Sequence, residues 1–224
     1  DAHVHLESSM MLPSEFAKVV VPTGTTTVFT DPHEIANVSG TDGIEYMLAT
    51  STGIPLNIYL MMPSCVPATS FDESGAVLDA EDIRYLFHHP RVLGLAEVMD
   101  YFNVCRKEKK TAAKIAEALS LDRIVDGHAP LLSGKNLDKY VASGIDSDHE
   151  CISAEEGIEK IRKGMWVMVR EGSAARNLDK LLPLFEKPYC NRCLLVTDDN
   201  GISKMLLSSL LLSPKAKSIY YAEY

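Results

Sequence analysis

Residues 123–150 read RIVDGHAPLLSGKNLDKYVASGIDSDHE, and the order of patterns inside them decides the fold class. A β-rich run, Arg123 to Asp126, is followed by polar residues that include His128. A stretch with helical period then spans Gly134 to Val141, and Gly144 stands where that helix should stop. A second β run, Gly144 to Ser147, opens at once and leads to His149. Two strands separated by a helix must run parallel, because only a crossover connection returns the chain to the same edge.

The same unit recurs along the chain. Further β runs fall at Ala2 to His5, Thr25 to Thr30, Leu56 to Met62, Val92 to Val98, Met165 to Val169 and Leu194 to Thr197, which makes eight strands in all. Helical patterns fall at Pro13 to Val20, Gly43 to Ala49, Ala80 to Phe87, Thr111 to Leu119, Ala154 to Arg162 and Ala175 to Phe185. Ser153 to Glu156 reads as a capping box, Asp42 and Asp79 read as helix caps, and Gly24, Gly53 and Gly164 mark helix ends as Gly144 does. Eight alternating units predict an α/β fold of the closed (β/α)8 TIM-barrel type, with an open doubly wound sheet as the competitor. No GxGxxG follows any strand, which weakens the dinucleotide-binding form of that competitor.

The chain has 224 residues, 46% of them hydrophobic and 24% charged, enough for one sizeable core, so residues 1–224 are expected to form a single catalytic barrel domain. The formal net charge of -9 leaves no basic face for a phosphate backbone, which argues against nucleic acid as a partner. The longest apolar stretch, Met205 to Leu212, is interrupted by Ser208 and Ser209; it reads as a buried helix rather than a membrane span. Five cysteines, an odd count, point to a reducing compartment and hence to the cytoplasm, and the lone Cys190-x-x-Cys193 has no second pair at zinc-ribbon spacing. The opening Asp1-Ala2-His3-Val4-His5 carries no initiator Met and no signal segment, so the chain is expected to be an excised piece, truncated at both ends.

Chemistry-bearing residues gather at the carboxyl ends of the predicted strands, where barrel enzymes place their reactive groups. His3 and His5 end the first strand, Glu97 closes the apolar fourth, His128 and His149 follow the fifth and sixth, and Asp198 and Asp199 follow the eighth. Four of the seven histidines stand at such ends, more than scatter would produce. Residues i and i+2 of a strand face the same way, so His3 and His5 can grip one cation together. A carboxylate at the end of a buried strand must be neutralised, by cations shared with neighbouring ligands or by a salt bridge to an Arg or Lys. Asp126 and Asp148 are placed to orient the rings of His128 and His149. Asp198 is the better candidate of its pair to move a proton in metal-assisted hydrolysis.

Together these positions resemble the amidohydrolase superfamily: His-x-His on the first strand, a bridging group on the fourth, His on the fifth and sixth, Asp on the eighth. Many members bridge with a carboxylated Lys, where this chain has Glu97. Within the superfamily the chain is similar to the adenine deaminase family in the segments beginning at Asp1 and Asp31, in Pro63 to Ala68, Ser74 to Leu78, Asp126 to Pro130, Ser147 to Cys151 and Arg170 to Ala175. The likeness runs up to Asp199 and largely fails beyond it.

The resemblance implies two divalent metal ions, one held by His3, His5, Glu97 and Asp198 and the other by Glu97, His128 and His149. It suggests manganese or iron, where spacing alone admits zinc equally. It implies hydrolysis of adenine to hypoxanthine and ammonia in purine salvage, with Asp198 carrying the proton toward the leaving ammonia. Glu7 and Glu34 become candidates for proton transfer, and His33, Ser64, Arg170, Glu171 and Ser173 for holding the purine. The expected partner is thus a small-molecule purine, with no membrane and no nucleic acid; self-assembly into a homo-oligomer is left open. Two other readings stand beside this one: the same centre acting on a cyclic amide or an N-acetyl group, and an inactive barrel fragment lacking the family's small β-rich domain.

Overall fold

The computed structural model describes residues 1–69 and 71–201. The predicted helix over Met205 to Leu212 lies outside the described residues.

Among the described residues nine strands appear in chain order: β1 (Val4–His5), β2 (Thr27–Thr30), β3 (Asn57–Met62), β4 (Val92–Val98), β5 (Ile124–Gly127), β6 (Ser147–Asp148), β7 (Trp166–Arg170), β8 (Cys193–Val196) and β9 (Asp198–Asp199). Every pairing between them is parallel. One sheet has the order β5-β4-β3-β2-β1-β9 and the other β6-β7-β8. The predicted eighth strand, Leu194 to Thr197, is found as β8, and beyond Thr197 the short β9 follows; Asp198 at its start has a left-handed φ of 59°. That turn frees β8 to pair with β7 while β9 pairs with β1. Between β5 and β6, Asp146 N donates to Val125 O at 3.0 Å. Gly127 permits the close approach there, because a Cβ would collide with the carbonyl oxygen of Ser147.

The helices are α1 (Pro13–Val20), α2 (His33–Thr50), α3 (Ala80–Leu86), α4 (Tyr101–Arg106), α5 (Lys109–Ser120), α6 (Gly134–Val141), α7 (Ala154–Arg162) and α8 (Leu178–Leu181). They follow the predicted positions with three differences. Helix α2 starts ten residues early and kinks at Gly40, so Asp42 lies inside it and caps nothing. Helix α4 follows β4 immediately, capped by Asp100, which accepts from Asn103 N. The stretch predicted from Ala175 breaks into the single turn of α8 and a 3-10 turn at Leu182–Phe185, where Pro183 cannot donate the next helical bond.

Asp79 forms the full capping box with Asp82. Ser153 forms only half of its own: it accepts from Glu156 N, while the Glu156 side chain serves Leu131 N and Ile152 N instead. Gly24, Gly53, Gly144 and Gly164 all take the positive φ expected of helix ends.

The core follows from these patterns. Val4, Val28, Leu60, Val92, Leu95 and Val125 from the strands meet Phe16, Ala17, Ile44, Ile83, Leu137 and Tyr140 from the helices in one apolar cluster. A smaller cluster gathers Val167 and Val169 with Leu178, Leu181 and Leu184. No helix among the described residues is long and apolar enough to cross a membrane.

Candidate metal centre

Strands that end together deliver their last side chains to one place. His3, His5, Glu97, His149 and Asp198 are all buried, although they come from four separated parts of the chain. Glu97 stands at the middle. Its Oε1 lies 3.4 Å from His5 Nε2 and 3.5 Å from His33 Nδ1. Its Oε2 lies 2.7 Å from His128 Nδ1 and 3.1 Å from His149 Nε2. Asp198 Oδ1 closes the first side, 3.2 Å from His5 Nε2 and 3.5 Å from His3 Nε2. No Arg or Lys faces Glu97 among the ion pairs of the described residues; its neighbours are imidazoles.

Two features show what this pocket accommodates. His128 Nδ1 and His149 Nε2 point at each other across 3.2 Å, where two lone pairs repel unless a proton or a cation stands between them. Several buried atoms also have no hydrogen-bond partner among the described residues: His3 Nε2, His33 Nδ1 and both carboxylate oxygens of Asp31. Buried polar atoms left unpaired cost on the order of 1–3 kcal/mol each, so such a concentration is expected only where a further group completes it. Ligand atoms of His3, His5 and Asp198, of His3, Glu97 and His149, and of His128, His149 and Glu150 each lie close enough together to hold one ion.

The electrostatics agree. Burial raises the Glu97 carboxyl, yet hydrogen bonds from His128 and His149 outweigh it and hold the group well below the ordinary range. Burial works against ionised Asp198 too, and the adjoining His3 and His5 rings drive its carboxyl far down. Burial and the neighbouring His149 bring His3 down to about 4, leaving its ring neutral. For His149, burial is overcome by the hydrogen bond and charge of Glu97, which lift it to about 9. Carboxylates held charged among rings that Glu97 and Asp198 draw toward their protonated forms make a pocket that stabilises positive charge.

The remaining candidates lie around this centre in different ways. His33 reaches further in than a substrate ligand need do, 3.4 Å from Asp31 Oδ2 as well as near Glu97. Ser64 Oγ donates to Glu97 O at 2.6 Å and so steadies the strand end that carries the carboxylate. Arg170 donates to Asp198 Oδ2 at 2.9 Å and to Glu150 Oε2 at 3.1 Å, so its guanidinium is engaged with the site's own carboxylates. Glu7 accepts from Ile35 N at 3.4 Å, and burial lifts its carboxyl to about 7. Ser8 ties Glu34 to Asp199 at the rim. Glu171 N donates to Val196 O, and Ser173 N to Asp199 O, which seats Glu171 beside the end of β8 and Ser173 beside the end of β9.

Asp126 and Asp148 do not orient the rings directly, as their spacing suggested. Asp126 accepts from Ser147 Oγ, and Asp148 accepts from Ala129 N. Two site residues escaped the sequence reading. Asp31, 2% exposed, ends the second strand run as Glu97 ends the fourth, so the same positional criterion would have found it. Glu150 was visible only as the neighbour of His149; its place 3.6 Å from that ring and against Arg170 is tertiary.

Comparison with known proteins agrees with this geometry. A family model described as "Amidohydrolase family" matches residues 1–199. The chain is 53% identical over 199 residues to adenine deaminase 2 of Carboxydothermus hydrogenoformans, covering 89% of this chain and 35% of that protein. It is 49% identical over 211 residues to adenine deaminase of Oceanobacillus iheyensis, covering 94% and 35%. It is 48% identical over 220 residues to adenine deaminase of Clostridium acetobutylicum, covering 98% and 39%. The chain thus spans little more than a third of the length of these curated relatives.

Proposed function

The chain belongs to the amidohydrolase family, and from that premise we propose that it carries the metal-binding and catalytic face of an adenine deaminase, which hydrolyses adenine to hypoxanthine and ammonia. The observation that carries this reading is the central Glu97, one oxygen toward His5 and the other toward His128 and His149. A carboxylate faced from both sides by neutral-capable rings is suited to bridge two cations.

In this reading the two sheets are parts of one closed (β/α)8 barrel, and residues 1–199 are its catalytic domain. The shared path of β8 into β9 and the Asp146–Val125 hydrogen bond support closure. His3, His5, Glu97 and Asp198 would hold one divalent ion; Glu97, His128 and His149 would hold the other. Mixed imidazole and carboxylate donors with no thiolate suit manganese or iron and also admit zinc. When bound, the ions supply Lewis-acid activation of water at neutral pH.

The chain's own residues do the rest. Asp198, held ionised, accepts a proton at Oδ1 or Oδ2 and returns it to the departing amine. Glu7 and Glu34 are the proposed proton relays to the ring nitrogens, a reading supported for Glu7 by a carboxyl that burial lifts to about 7. His33, Glu171 and Ser173 line the purine's edge, while Ser64 and Arg170 serve the same end through Glu97 and Asp198. All five cysteines are free thiols, which suits a reducing, cytoplasmic setting for purine salvage.

The test is ammonia release from adenine by the intact protein after reconstitution with manganese or ferrous iron. Stoichiometric hypoxanthine supports the reading. Turnover of a cyclic amide or an N-acetyl compound with no ammonia from adenine assigns the centre to another bond, and no retained metal ion overturns the reading altogether.

A further inference from the structure

A second buried charged cluster lies just behind the centre, and nothing above gives it a role. Lys160, on α7, is fully buried. An ammonium has three N–H donors, and all three are used: Nζ donates to Ala129 O at 2.7 Å, to Asp148 Oδ2 at 2.9 Å and to Glu156 Oε1 at 2.7 Å. Asp148, Cys151 and Glu156 are grouped closely enough to suggest another cation site. That place is already filled, by the lysine ammonium.

What the ammonium holds gives it its significance. Ala129 is the residue after His128, and Asp148 is the residue before His149. Asp148 Oδ1 accepts from Ala129 N at 2.7 Å, so Ala129 is gripped at its N–H by Asp148 and at its carbonyl by Lys160. Asp148 Oδ2 also accepts from Glu150 N at 3.1 Å. The loops after β5 and β6 are therefore pinned to each other and to α7. Glu156 extends the clamp to Leu131 N and Ile152 N. Stability alone is a poor account of such a cluster, because apolar replacements of similar volume often leave a protein as stable or more so.

Resting on the metal-centre reading, we propose that Lys160 is a positioning residue that sets the separation of His128 and His149 and so forms the second ion's seat. It touches neither ring. It acts through the backbone of the residues beside them, where metal sites take much of their affinity from groups behind the ligands.

The experiment titrates Mn²⁺ into the metal-free intact protein, following free Mn²⁺ by electron paramagnetic resonance. It compares wild type with Lys160→Met, the double variant Asp148→Asn/Lys160→Met, His149→Ala and Lys163→Met. The double variant removes the uncompensated carboxylate that the single change buries, so folding, checked by circular dichroism, is retained where the single variant loses it. Wild type and Lys163→Met, which alters a partly exposed pair with Asp138, bind two ions. His149→Ala binds one. The Lys160 variants keep the first ion at wild-type affinity and bind the second about 10- to 100-fold more weakly. Folded Lys160 variants that bind both ions as wild type does overturn the proposal, whatever their melting temperatures. A wild type that binds no ion refutes the metal centre itself, a distinct result.

Discussion

His5 Nδ1 lies 2.9 Å from the backbone carbonyl oxygen of Asp31. A carbonyl can only accept, so Nδ1 carries a proton, and Nε2 is the ring nitrogen that faces Glu97 Oε1 and Asp198 Oδ1. The main chain of the second strand's end thereby fixes which nitrogen of the His5 ring faces the two carboxylates. His5→Ala removes the ring shared by those two carboxylates, and its expected outcome is one bound ion per chain instead of two by elemental analysis. His88→Ala, at an exposed ring, leaves the count at two.

Asp198 differs from the other proposed ligands in being held by its backbone as well as by its partners. Its φ of 59° is uncommon outside glycine and asparagine, and it sits where the strand changes neighbours. Asp198→Asn tolerates that conformation and keeps a metal-facing oxygen but accepts no proton. The rate of ammonia release from adenine should fall by about 10²- to 10⁴-fold while at least one ion remains bound. Activity within a few-fold of wild type would remove Asp198 from the proton path.

Arg170 separates two ideas of how the purine is held. Its bonds go to Asp198 and Glu150, so its loss should disturb the placement of the proposed proton carrier Asp198 more than contact with substrate. For Arg170→Met, kcat for adenine should drop about tenfold or more with KM changed by no more than about threefold, the pattern of an interaction made in the transition state. The opposite split would place the guanidinium on the purine.

The strand ends were legible because a buried strand has one strong signal, an apolar run, and its termination in a charged residue is conspicuous. Glu97 after Val92 to Ala96 and Asp198 after Leu194 to Val196 are read in that way. Helix α4 was hidden because six residues cannot display a helical period. The clamp around Lys160 was hidden for a different reason. A lysine four residues after Glu156 reads as an exposed helical pair, and only the packing of α7 against the loops after β5 and β6 turns it inward. Asp148 was noticed for its nearness to His149, but its partners are 12 and 19 residues away in sequence.

The Asp148–Lys160 pair also makes a prediction about stability against pH. Burial raises the Asp148 carboxyl, but the Lys160 charge and its hydrogen bond, with His149, outweigh it and hold the group below its ordinary value of 3.8. A depressed folded-state pKa contributes stability that is complete above the unfolded value and is lost as pH falls through the folded one. Burial lowers Lys160, and the Asp148 charge more than offsets it, raising the ammonium from 10.5 to about 12. Its contribution is complete below 10.5 and disappears as pH climbs through about 12. Urea unfolding of metal-free wild type and of Asp148→Asn/Lys160→Met should therefore give a stability difference that is flat across neutral pH. Between about pH 5 and pH 2 the difference should shift in favour of the variant, as wild type alone loses the pair. A difference constant down to the lowest pH would mean that the two charges do not support each other in the folded protein.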